Sequence, residues 1–141
     1  MEFLSDERIP LQYQNMIMRG SINHRIVINP NFNWGNIDFI NQKLQDAHDN
    51  GKLASKNVEG LAVHEMGHFL TYLDCDDEKK LFQREKDISA CYVEGVSLYS
   101  DTSRDGAECL TEAFVRYYNK ENIPERLMQW VEKYILRWRK S

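Results

Sequence analysis

Residues 64–68 read His64-Glu65-Met66-Gly67-His68, and this spacing constrains the chain more than any other feature. On an α-helix, positions i and i+4 share a face, so both imidazoles can point at one metal ion. Glu65 reaches the edge of that face, where its carboxylate can take a proton from a metal-activated water. The flanks support a helix over about 57–73: Val58, Leu61, Ala62, Met66, Leu70 and Leu73 fall at roughly helical spacing, and Asn57 is a cap. With 4 His and 12 Glu among 141 residues, about 0.01 matches are expected by chance.

Length and composition bound the rest. A chain of 141 residues is read as a single domain spanning 1–141, long enough for a core without disulfide staples. A formal net charge of -4 argues against a nucleic-acid partner. Cys75, Cys91 and Cys109 form an odd set without CxxC spacing, which suggests reduced residues and neither a disulfide framework nor a cysteine zinc site. The stretch Met1–Arg8 lacks the basic and apolar regions of a secretory signal, and no apolar run approaches a membrane span. The expected location is a reducing cytoplasm, with no membrane partner.

Along the chain, residues 1–20 leave helix or strand open. Ile22–Ile28 is β-branched with partial alternation and ends at Asn29-Pro30, which predicts a strand. Ile37, Ile40, Leu44 and Ala47 mark a helix closed by Asn50-Gly51. After the helix over 57–73, the acids of 74–77 suit the start of another through Leu81, Phe82 and Ile88. A polar loop is expected from Ser100 to Gly106, then a helix with Ala107, Leu110, Phe114 and Tyr117 on one stripe. The last helix is expected to open at Asn122-Ile123-Pro124-Glu125 and to carry Leu127, Val131, Tyr134 and Trp138 inward, with Trp130 also in the core. Arg137, Arg139 and Lys140 read as its C-terminus. One strand signal among five helices implies an α+β, predominantly helical domain with a small sheet.

Two histidines leave zinc short of a catalytic set, which takes three protein ligands and one open position. Glu108 and Glu112, at i and i+4 on a predicted helix, can supply one ligand and one acid that hydrogen-bonds a ligand histidine and fixes its tautomer. Spacing alone permits either assignment. About one such glutamate pair is expected by chance; the other in the chain, Glu121 and Glu125, straddles Pro124 and should not share a helical face. His24 reads as a half-exposed strand residue and His48 as a structural cation near a helix C-terminus.

The combination of His-Glu-Met-Gly-His with Tyr99 and Glu108-Cys109-Leu110-Thr111-Glu112-Ala113-Phe114 resembles the gluzincin peptidases of the anthrax lethal factor type. It is still more similar to the small phage-related and mobile-element peptidase domains that share that core. Their second motif runs tyrosine, a short polar loop, then E-x-x-A-E-A-F, and the likeness covers about residues 55–118. It implies a zincin-like fold in which the HExxH helix packs against a second helix carrying the glutamate ligand. It further implies Zn2+ held by His64, His68 and Glu108, Glu112 as the supporting acid, Glu65 as general base and Tyr99 as donor to the tetrahedral intermediate. Thr111 stands where the pattern has alanine, and the loop from Tyr99 to Glu108 is longer than in the lethal factor pattern. Tyr92, Tyr117 and Tyr118 are rivals to Tyr99, with Tyr117 fitting the core stripe. The expected activity is zinc-dependent hydrolysis of peptide bonds, endopeptidase favoured, with a protein or peptide substrate extended along a sheet edge, Ile26-Val27-Ile28 being the candidate. The alternatives are a zinc-stabilised structural or assembly module of a phage or mobile element with little hydrolysis, and a regulatory peptidase that cleaves one repressor. A purely structural site has no need of the base Glu65.

Overall fold

Leu11–Met18 (β1) and Ser21–Ile28 (β2) form an antiparallel hairpin in the computed structural model, which describes residues 9–139. The turn is Arg19-Gly20, both at positive φ (52° and 83°), the backbone that matches the twist of paired strands. The register pairs Met18 with Ser21 and Leu11 with Ile28. In a two-residue hairpin the closing pair exchanges both hydrogen bonds. Met18, Met16, Gln14 and Gln12 therefore bond across to β2, while Leu11, Tyr13, Asn15 and Ile17 turn their N–H and C=O groups outward. The outer edge of β2 is engaged at Ile22, whose N–H donates to the Asp76 carbonyl at 2.9 Å. β2 matches the expected strand. β1 falls where the sequence left helix or strand open, because the run Met16-Ile17-Met18 blurs its alternation.

Six helices follow among the described residues: Ile37–Asp49 (α1), Val58–Tyr72 (α2), Glu78–Ile88 (α3), Leu98–Ser103 (α4), Gly106–Tyr118 (α5) and Glu125–Tyr134 (α6). The fold is α+β, and 56% of the described residues are helical. Caps explain several starts. Asn57, Asp77, Ser97 and Asp105 each accept a bond from a first-turn N–H of α2, α3, α4 and α5 respectively. The last helix departs from expectation. It begins at Glu125 behind Pro124, without a side-chain cap, and ends at Tyr134, so Asn122 lies outside it. Trp138 sits in a following 3-10 turn, exposed, with its indole N–H on the Leu70 carbonyl at 2.8 Å. Tyr117 is likewise exposed on α5, not in the core. Leu98–Ser103 is a short helix where a loop was expected from Ser100.

The core joins Tyr72 of α2, Leu81 and Ile88 of α3, Cys109, Leu110 and Ala113 of α5, and Leu127 and Val131 of α6. The three cysteines are free and buried in it. α2 packs on α5 on one side and on β1 on the other. The approach of α2 to α5 is close at Gly67. A Cβ there would come within 2.9 Å of the Thr111 methyl and 3.2 Å of the Phe114 ring, so glycine inside the motif sets how near the two helices lie. Among the described residues no helix is long and apolar enough to cross a membrane. The readings of Met1–Arg8 and Lys140 lie outside the described residues.

Candidate metal centre

His64 and His68 share one face of α2, and Glu108, in the first turn of α5, faces both. His64 Nε2 lies 2.9 Å from Glu108 Oε2, and His68 Nε2 lies 3.1 Å from Glu108 Oε1. One ligand atom from each of the three residues falls within 4.8 Å of the others. Ligands bound tetrahedrally to zinc at 2.0–2.1 Å stand about 3.3 Å apart. The residues therefore fit an ion with only small adjustments. Two imidazole nitrogens and a carboxylate are also the donor chemistry of a catalytic zinc site with one position left open.

Glu112 stands behind this face. Its side chain is 1% exposed. Oε2 accepts from His64 Nδ1 at 3.0 Å, and a carboxylate can only accept, so Nδ1 carries a hydrogen, and Nε2, which here donates to Glu108, is the nitrogen that would face a metal once its own proton is lost. Oε1 accepts from the Ser97 hydroxyl at 2.9 Å and from the Ala54 N–H at 3.1 Å. A buried carboxylate costs several kcal/mol unless it is satisfied, and here both oxygens are. The Thr111 hydroxyl closes the set, 3.2 Å from His64 Nε2 and 3.4 Å from Nδ1.

The charges are mutually dependent. Burial would strip His64 of its proton, but the hydrogen bonds and charges of Glu108 and Glu112 outweigh it and raise its pKa. Burial pushes the other way on Glu108, and its bonds from His64 and His68 hold it well below the usual carboxylate range.

Tyr99 lies in the first turn of α4, its ring 6.0 Å from that of His64. Its position is fixed from two sides: its own N–H donates to the Lys52 carbonyl at 3.0 Å, and Ser97, the cap of α4, is tied to Glu112. Burial, helped by the Glu108 charge, raises the phenol pKa, so the hydroxyl remains a donor near neutral pH. The rival tyrosines sit elsewhere. Tyr92 bonds Asp101, Tyr118 bonds Glu59, and Tyr117 faces solvent.

Glu65 lines the same cleft, and its Oε2 accepts from the backbone N–H of Tyr13 at 2.9 Å. That N–H belongs to the outward edge of β1. The cleft wall is built from Leu11, Gln12, Tyr13 and Asn15 of β1, whereas Ile26, Val27 and Ile28 line no part of it. The edge expected to face the cleft therefore does not line it, because β2 turns its outer edge toward the segment after α2. His24 bridges the Tyr13 hydroxyl and the Cys75 carbonyl, each at 2.7 Å, and His48 joins the Leu53 carbonyl to Glu121, so both are structural. Sequence reasoning missed Tyr13, Tyr72 and Ser97. Only Ser97 had a local signal, as a cap before Leu98-Tyr99-Ser100.

Comparison with protein-family models, curated proteins and solved structures finds no match to this chain.

Two outcomes are expected. Glu108→Ala should lose more zinc affinity than Glu112→Ala, because removal of a supporting acid typically costs about 10–100-fold; dissociation constants measured in one buffer decide it, and retention of zinc by Glu108→Ala with loss by Glu112→Ala would invert the assignment. Because His64 is held protonated without metal, zinc must displace that proton. Affinity should therefore rise by roughly tenfold per pH unit near neutrality, with proton release seen by calorimetry in buffers of differing ionisation enthalpy. A pH-independent affinity would contradict this linkage.

Proposed function

We propose that this chain is a zinc-dependent metallopeptidase of the gluzincin type with a zincin-like fold, acting on protein or peptide substrates, endopeptidase action being favoured. The observation that carries the reading is the convergence of His64, His68 and Glu108 on one point, with His64 Nδ1 held by Glu112 and the carboxylate of Glu65 on the same cleft. Three buried free thiols support a reducing compartment such as the cytoplasm.

His64, His68 and Glu108 would hold the ion. Zinc, when bound, supplies a Lewis acid that lowers the pKa of a water to about 7 and polarises a carbonyl. Glu65 accepts the proton of the attacking water and delivers it to the leaving amine. Its bond from Tyr13 N–H keeps the carboxylate aimed across the cleft. Tyr99 donates a hydrogen bond to the developing oxyanion, an interaction of the kind worth about 2.7–4 kcal/mol where such a donor has been removed. The outward N–H and C=O groups of Leu11 and Asn15 offer an extended substrate a strand to pair with. Glu112, Ser97 and Ala54 keep His64 and Tyr99 in register.

Glu65→Gln preserves shape and removes the base. The variant should bind zinc and melt like the parent while hydrolysis of a peptide library, read by mass spectrometry, falls by at least about 100-fold. Undiminished cleavage by Glu65→Gln would refute the mechanism. A parent protein that holds zinc but cleaves nothing would favour the structural-module reading.

A further inference from the structure

The cleft extends beyond the metal-ligand face. His64, His68 and Tyr72 succeed one another every four residues on α2, so they form a single row that leads away from the triad. The Tyr13 ring lies along this row, stacked 6.2 Å from His68 and 6.0 Å from Tyr72, the latter at an interplanar angle of 17°. At its far end the wall is completed by Glu85 of α3. Burial raises the Tyr13 and Tyr72 phenol pKa values, and the Glu85 charge adds to both shifts.

Among the described residues no cation is paired with Glu85. Its helical neighbours at three and four residues are Leu81, Phe82, Ile88 and Ser89. The nearby basic side chains are committed elsewhere, Arg84 to Asp74 at 2.9 Å and Lys80 to Asp76 at 2.8 Å. Among the described residues that line the cleft there are four glutamates, Glu65, Glu85, Glu108 and Glu112, and no lysine or arginine. A divalent ion would offset two of those charges and leave the cleft negative.

We infer that the Tyr13–Tyr72–Glu85 end of the cleft is a specificity subsite for a cationic side chain, lysine or arginine, of the bound polypeptide. The aliphatic stem lies along the edges that the two tyrosine rings, stacked on each other and on His24, leave toward the cleft, and the ammonium or guanidinium meets the Glu85 carboxylate. One helical turn separates His68 from Tyr72, about 6 Å, close to the spacing of same-side residues on an extended chain. The basic residue therefore falls within about two positions of the scissile bond. This rests on the metallopeptidase reading for the word scissile, while the charge preference stands as a binding property.

The test uses Glu85→Gln and Glu85→Lys, neither of which touches the metal or the base. Zinc-loaded parent protein should cleave library peptides with lysine or arginine enriched within two positions of the cut. Glu85→Gln should lower kcat/KM for a lysine peptide about three- to tenfold, through KM, and leave its norleucine analogue unchanged; Glu85→Lys should favour an acidic residue there. Binding of the lysine and norleucine peptides to zinc-loaded Glu65→Gln protein is measured in parallel. Absence of all hydrolysis would count against the catalytic reading yet leave this second readout intact. Equal affinity for the two peptides, no binding of either, or an unchanged lysine-to-norleucine ratio in Glu85→Gln would overturn the subsite.

Discussion

The carboxylate of Glu112 is the interaction on which the site depends. It lies inside the protein, where an unpaired charge would be expensive, and it is stabilised only because three donors from different parts of the chain converge on it. His64 of α2, Ser97 before α4 and the Ala54 N–H are those donors. One acid thereby fixes an imidazole tautomer, anchors the cap of the short helix that carries Tyr99, and pins the loop before α2. Any loosening of Glu112 would disturb both walls of the cleft together.

A second constraint is the distance between α2 and α5. Both imidazoles can reach Glu108 only if the helices approach closely, and Gly67 permits that approach against Thr111. Thr111 uses the space that its methyl claims, and its hydroxyl lies against the His64 ring. Thr111 and Gly67 are thus complementary across the α2–α5 contact.

Much of this was legible in the sequence where the signal is local. The i, i+4 pairs of His64/His68 and Glu108/Glu112 are helical-face statements, and the helices carrying them formed within a residue or two of the expected bounds. What escaped reading was tertiary. Asn15 and Tyr13 belong to a strand whose alternation is blurred by Met16-Ile17-Met18, and nothing local says that the Tyr13 N–H meets Glu65, 52 residues away. Likewise, Ile26–Ile28 reads as the better strand, yet hairpin pairing turned the edge of β1 to the cleft. The last helix ended early because its Trp138 turns back onto the Leu70 carbonyl instead of extending the apolar stripe. Ser97 could be read as a cap, but its bond to a buried glutamate depends on packing alone.

We propose that His64, His68 and Glu108 hold zinc in a site with an open position. X-ray absorption at the zinc edge on the purified, zinc-loaded protein tests it most directly. The expected result is a four-coordinate shell of nitrogen and oxygen at about 2.0–2.1 Å with the outer-shell scattering of two imidazoles. A sulfur shell near 2.3 Å, or a signal lacking paired imidazole scattering, would contradict it.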